Sequence, residues 1–153
     1  MSGDFDYIIA GGGTAGCVLA NRLSADPQNK VLLIEAGPWD SNPFYRIPVM
    51  GVQLYLWNYN NWNYQTEPEP GLKGRQITWP RGRVIGGSSS MNGMIWTRGA
   101  HSDYDRWSQT GLTDWSFEKC LPYFKALESY EPGADDWRGG SGPLRVGRQE
   151  SSH

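Results

Sequence analysis

Ala10-Gly11-Gly12-Gly13-Thr14-Ala15-Gly16-Cys17-Val18-Leu19-Ala20-Asn21-Arg22-Leu23-Ser24 decides the fold of this chain. Just before it, Asp6–Ala10 is a short apolar run without alternation, which predicts a parallel strand buried on both faces. Gly11, Gly13 and Gly16 follow at G-x-G-x-x-G spacing. In a strand-to-helix turn the first allows the tight bend, the second lets backbone approach a pyrophosphate, and the third lets helix pack on strand. The spacing predicts a helix over Thr14–Ser24, with Ala15, Val18, Leu19 and Leu23 broadly on one side and its free N–H groups facing phosphate. Asp26-Pro27 stops it, and Val31–Glu35 reads as a second strand ending on an acid. Glu35 lies close to the ~20-residue spacing at which a carboxylate accepts hydrogen bonds from a ribose hydroxyl. Strand, glycine turn, helix, strand, acid is the layout of a dinucleotide site. Cys17, inside the helix, reads as a packing residue.

The totals narrow the rest. The chain has 153 residues and a net charge of −2, so it fits one domain by length and makes no electrostatic case for nucleic acid. No apolar run approaches the ~20 residues of a membrane helix, so no membrane span is expected. The N-terminus runs through Asp4 and Asp6 without a basic region and cleavage site, which predicts a cytoplasmic protein. Cys17 and Cys120 are too few for a disulfide framework or a zinc cluster. Twenty glycines, eight tryptophans and eight tyrosines suggest close backbone turns and aromatic packing around something flat.

After Gly37 the strand–helix alternation stops. Pro38–Arg83 is rich in Pro, Gly, Asn and aromatics and reads as a long irregular lid or binding loop, with a short strand at Gln76–Trp79 and a turn at Thr66–Gly71. Pro80–Gly99 then offers two arginines before a paired glycine and three serines, donors suited to phosphate or a polar ring. Ser102–Trp107 is expected as a short helix capped by Ser102, with His101 a polar loop residue. Ser116 is expected to cap a helix over Phe117–Tyr130, with Leu121, Phe124 and Leu127 at helical spacing, Pro122 limiting its first half and Cys120 packed. Asp135-Asp136 reads as a solvated pair, and Gly142–Val146 as a turn into a strand.

Three blocks, Gly11–Ser24, Leu32–Gly37 and Pro80–Met94, resemble the glucose–methanol–choline (GMC) oxidoreductases. The match to that family's first signature runs from Gly82 to Asp105, including Gly86-Gly87, Ser88-Ser89, Asn92, Trp96 and Gly99. Asn61–Tyr64, Thr66–Pro68 and Leu121–Phe124 resemble its choline dehydrogenase and aliphatic alcohol dehydrogenase branch. The fold implied is α/β: a Rossmann-like FAD-binding domain, incomplete in this chain. Its expected parts are a βαβ dinucleotide unit over 1–37, a lid segment over 38–80, a flavin-contacting segment over 81–107, and a helix and strand over 113–147.

The resemblance also implies a cofactor site. FAD would place its pyrophosphate over Gly11, Gly13, Thr14, Ala15 and Gly16, and its adenosine ribose on Glu35 and Ala36. Trp62 would lie near the flavin, Arg81, Val84, Gly87 and Ser88 would contact the cofactor, and Asn92, Gly93, Met94 and Ile95 would run along the isoalloxazine. Some members tether FAD to a histidine where this chain has Met91, so non-covalent FAD is expected. The implied reaction oxidises an alcohol to its carbonyl by hydride transfer to flavin N5. Alternatives on the same scaffold are a lyase, a photodecarboxylase, or an inactive fragment needing a complementary chain. Family members are several times longer and carry their catalytic histidine near the C-terminus. The only histidines here, His101 and His153, sit in no such motif. The expectation is therefore an N-terminal portion that works with the remainder of the enzyme, with no catalytic residue and no metal ligand of its own.

Overall fold

A computed structural model describes residues 3–148. The chain divides into two units, Met1–Ile95 and Trp96–His153. His153 lies outside the described residues.

In the first unit, β1 (Tyr7–Ala10) pairs in parallel with β2 (Val31–Ile34), with Tyr7 opposite Val31 and Ala10 opposite Ile34. The crossover between them is α1 (Thr14–Leu23). Gly11 N–H donates to the Ile34 carbonyl at 2.7 Å, so the turn leaves β1 while still bound to the end of β2. Gly11 has φ +97°, where a side chain would be strained.

Two expectations need correction here. The strand was expected to be buried on both faces, but only Ile9 of β1 is buried and Ile8 is 64% exposed. This unit supplies no layer against that second face. The helix also packs by a different side. Gly16 is buried, Cys17, Ala20 and Leu23 are half-buried, and Ala15, Val18 and Leu19 are exposed. The reason is steric. A Cβ on Gly16 would lie 1.9 Å from the Gly11 carbonyl oxygen and 3.3 Å from Ile9 Cγ2, so the helix turns its glycine to the strand.

Pro38–Arg83 is more ordered than expected. It holds a 3-10 turn at Pro43–Arg46, with Asn42 Oδ1 accepting from Phe44 N–H, and then α2 (Met50–Leu56), which buries Gly51 and Leu54. The expected strand at Gln76–Trp79 is β4 (Thr78–Trp79), the second half of a hairpin with β3 (Tyr64–Gln65). Three asparagines, Asn58, Asn60 and Asn63, take positive φ where the chain bends between α2 and β3.

The second unit contains α3 (His101–Gln109), α4 (Phe117–Leu127), β5 (Glu128–Tyr130) and β6 (Leu144–Val146). The expected cap of α3 was Ser102. The N-cap is Ala100, whose N–H donates to Asp103 Oδ2, and His101 is helical, stacked on Phe117 at 3.5 Å between ring centroids. Ser116 caps α4 as expected. The helix ends three residues early, because Glu128–Tyr130 pairs in parallel with Leu144–Val146. Asp135 and Asp136 are both exposed, as expected, and Asp135 Oδ1 also accepts from the N–H groups of Trp137 and Arg138, which hold its carboxyl below the usual carboxylate range.

Candidate functional site

A cleft of about 430 Å³ opens at the carboxyl ends of β1 and β2. Ala10, Gly11 and Gly13 come from the β1 end and its turn, and Ile34, Glu35 and Ala36 from the β2 end. Trp62, Gly82 and Gly87 close the far side. Its volume falls within the ~300–1,000 Å³ of small-molecule sites.

Three backbone segments meet here. The 81–87 stretch is bound to the turn by the Gly86 N–H, which donates to the Gly12 carbonyl at 2.7 Å, and to the end of β2 by the Ile85 N–H, which donates to the Pro38 carbonyl at 3.0 Å. A Cβ on Gly37 would stand 2.1 Å from the Arg83 carbonyl oxygen, so only glycine admits that crossing.

The electrostatic feature is the start of α1. Its N-cap is Gly13, which gives no side-chain cap, and its first turn holds no acid. The first N–H groups of the helix and its positive dipole end are left for an external anion. Space beside Gly13 is open, since nothing lies within 4 Å of a Cβ built there. The open turn and the uncapped helix start therefore leave room for an anion beside Gly13. Glu35 faces the same turn, its carboxylate accepting from Gly12 N–H at 2.6 Å and Gly37 N–H at 2.8 Å. Trp62 stacks on Tyr64, with centroids 6.0 Å apart and planes 6° from parallel, and Arg83 lies 5.6 Å from the Trp62 ring. That gives the rim an aromatic face backed by a cation.

Of the sequence-predicted residues, Gly11, Gly13, Glu35, Ala36, Trp62 and Gly87 line this cleft. Thr14 and Ala15 are exposed in the first turn of α1, and Gly16 is buried beneath it. Val84 is fully buried. Arg81 is exposed, its Nη1 donating to the Pro80 carbonyl, and Ser88 Oγ accepts from Gly82 N–H at 3.1 Å. Asn92, Gly93, Met94 and Ile95 are exposed and lie outside the lining, Met94 at φ +53° and Ile95 83% exposed. Sequence reasoning passed over Ala10, Ile34 and Gly82 as lining. The first two follow from any strand ending at a switch point, and Gly82 from its place in the second glycine block.

The largest omission lies in the second unit. Glu128 is fully buried and accepts from Trp96 Nε1 at 2.6 Å, Arg98 Nη2 at 2.7 Å, Arg138 Nη1 at 3.4 Å and Gly139 N–H at 2.8 Å. Burial pushes its carboxyl up. The Gly139 N–H, the Trp96 indole and the two guanidiniums outweigh that, leaving it below the ordinary value of 4.5. No spacing signalled this cluster, since its members are scattered from residue 96 to residue 139. Among the described residues, no group of His, Cys, Asp and Glu is placed to hold a metal ion, and no helix is long and apolar enough to cross a membrane.

A parallel strand pair, a helical crossover and a glycine turn with an open helix N-terminus define a dinucleotide-binding α/β unit. The GMC oxidoreductase family model matches residues 5–153, and the chain belongs to that family. It is 50% identical over 143 residues to an oxygen-dependent choline dehydrogenase of Sinorhizobium fredii, covering 94% of this chain and 26% of that protein. Among solved structures, pyridoxine 4-oxidase from Mesorbium loti superposes with a TM-score of 0.84 at 41% identity, over 93% of this chain and 28% of that one. An FAD-dependent oxidoreductase from Chaetomium thermophilum superposes with a TM-score of 0.76 at 34% identity, over 94% and 26%. The chain thus spans about a quarter of the length of the relatives it matches.

Proposed function

We propose that these residues are the FAD-binding portion of an enzyme that oxidises an alcohol to its carbonyl. The observation that carries this reading is the uncapped N-terminus of α1 opening onto a cleft that also holds Glu35. The names of relatives that match most of the chain support it: choline dehydrogenase, pyridoxine 4-oxidase and an FAD-dependent oxidoreductase.

In this reading the amides of Gly13, Thr14, Ala15 and Gly16 bind the pyrophosphate, and Gly11 keeps the approach free of side chains. Glu35 and Ala36 receive the adenosine ribose. Trp62, Arg81, Val84, Gly87 and Ser88 flank the cofactor, and Asn92–Ile95 run along it, where the backbone N–H groups of Asn92, Gly93 and Ile95 stabilise negative charge while that of Met94 donates to Asn92 Oδ1. When bound, FAD supplies the two-electron acceptor. Met91 cannot form a histidyl link, so the cofactor is held without a covalent bond. The segments divide the work: 1–37 holds the dinucleotide, 38–80 covers it, and 81–107 lies against the ring. The base that takes the hydroxyl proton comes from polypeptide outside these residues, adjoining or complementary.

The test is optical. The complete enzyme carrying this chain is purified and is expected to be yellow, to lose its flavin on denaturation, and to bleach anaerobically on adding an alcohol, choline being the first to try. A flavin that stays oxidised with every alcohol while another reaction proceeds sinks the redox reading. A colourless, fully active protein sinks the FAD reading as well.

A further inference from the structure

We infer that Glu35 is a positioning residue for the phosphate-binding turn, in addition to any contact it makes with a ribose. The inference rests on the FAD-binding reading for its ligand and on the geometry of Gly12 for its substance. In the G-x-G-x-x-G pattern the residue after the first glycine is free to vary. In this chain it is Gly12, buried, with its peptide groups held from both sides. Its N–H donates to Glu35 Oε2 at 2.6 Å. Its carbonyl accepts from Gly86 N–H at 2.7 Å and from Cys17 Sγ at 3.1 Å. The second oxygen of Glu35 accepts from Gly37 N–H at 2.8 Å, which anchors the carboxylate to its own strand end. A Cβ on Gly12 would lie 2.8 Å from Ile85 Cδ1 and 3.3 Å from Glu35 Oε2, so a larger residue would crowd the carboxylate.

Gly12 precedes the N-cap Gly13, and its orientation sets the direction in which the first amides of α1 point. A charge-assisted hydrogen bond to a part-buried amide is stronger than a neutral one. Removing its charge loosens the turn even for a ligand that has no ribose hydroxyls. A carboxylate that only reads the ribose has no such effect, and this separates the two roles.

The experiment compares wild type with Glu35→Gln in the complete flavoprotein, using FAD and an FAD analogue whose adenosine lacks the 2′- and 3′-hydroxyls. A Gln side chain keeps the size but offers one acceptor oxygen in place of two. The expected result is at least a tenfold loss of affinity for FAD and a loss of similar size for the dideoxy analogue. A loss confined to FAD overturns the inference, because Glu35 would then act only through the ribose. Amide hydrogen exchange on the cofactor-free protein is the second readout. Exchange at Gly12 and Gly37 is expected to speed up at least tenfold in Glu35→Gln, with the β1–β2 ladder amides unchanged. Unchanged exchange at both glycines overturns the inference. Because this measurement needs no ligand, it stands if wild type binds no FAD at all, an outcome that would instead remove the functional proposal.

Discussion

Gly16 shows how far one residue can be followed from the sequence. The spacing predicted close helix–strand contact there, and an added Cβ would fall 1.9 Å from a backbone oxygen. Gly16→Ala must therefore push α1 off β1, at an expected cost of about 2–3 kcal/mol, read by denaturant unfolding together with weakened cofactor binding. Glu128 is the opposite case. Nothing in its neighbourhood announces a buried acid, because its partners become neighbours only when β5 has paired with β6 and the 138–139 turn has closed over it. Removing one member of a buried charge cluster typically costs about 3–5 kcal/mol, and Glu128→Gln is expected near the lower figure because Arg138 keeps some water contact. The pH dependence follows from the depressed carboxyl. Its stabilising contribution is complete above the unfolded value of 4.5 and is lost as pH falls through the lower folded value. Acid titration of wild type should show that loss, and Glu128→Gln should flatten it. Arg98 Nε, buried without a partner among the described residues, is the part of this cluster that hydrogen bonding leaves unmet.

At the scale of elements, starts were easier to read than ends. Helix starts are written locally: Ser116 Oγ accepts from Lys119 N–H at 3.4 Å, and the sequence named that cap. The structure adds a second one, Asp105 Oδ1 from α3, which accepts from Phe117 N–H at 3.1 Å. With two acceptors at one helix end, Ser116→Ala is expected to cost about 0.5 kcal/mol and Asp105→Ala about 1 kcal/mol. The double variant should lose about the two losses combined, because each acceptor serves a different amide. Thermal denaturation of the three variants checks this. The end of α4 was misread because Glu128–Tyr130 could continue the helix by propensity, and its pairing with Leu144–Val146 is a tertiary fact. α2 was missed for a related reason. Met50–Leu56 has neither a side-chain cap nor an acid in its first turn, and it is held by burying Gly51 and Leu54. The rotation of α1 went wrong because Val18 and Leu19 are its most apolar positions, whereas contact distance at Gly16 sets which side meets the strand.

Across the whole molecule the surface carries an unusual load of apolar side chains. In the first unit, Ile8, Val18, Leu19 and Ile34 are about half exposed or more, as are Trp39, Val49, Val52 and Leu56. Large exposed apolar area marks an interface or an aggregation liability. The 153 residues produced alone are expected to self-associate, and sedimentation velocity over a concentration series should show sedimentation coefficients that rise with loading. The βαβ unit was legible because strand, glycine spacing and terminal acid lie within one short stretch. The hairpin, the buried acid and the 81–87 crossing were not, because each depends on residues distant along the chain.

That distance also has a consequence in time. β1 and β2 meet across a single helix, but the hydrogen bond that ties down the glycine turn joins residue 12 to residue 86. Closing the longer loop costs more chain entropy, and distant contacts form late. In stopped-flow refolding, cofactor capture should therefore lag the rise of helical signal. The turn leaves the ribosome early, and on the proposed reading it is ready for its ligand only after residue 86 has docked.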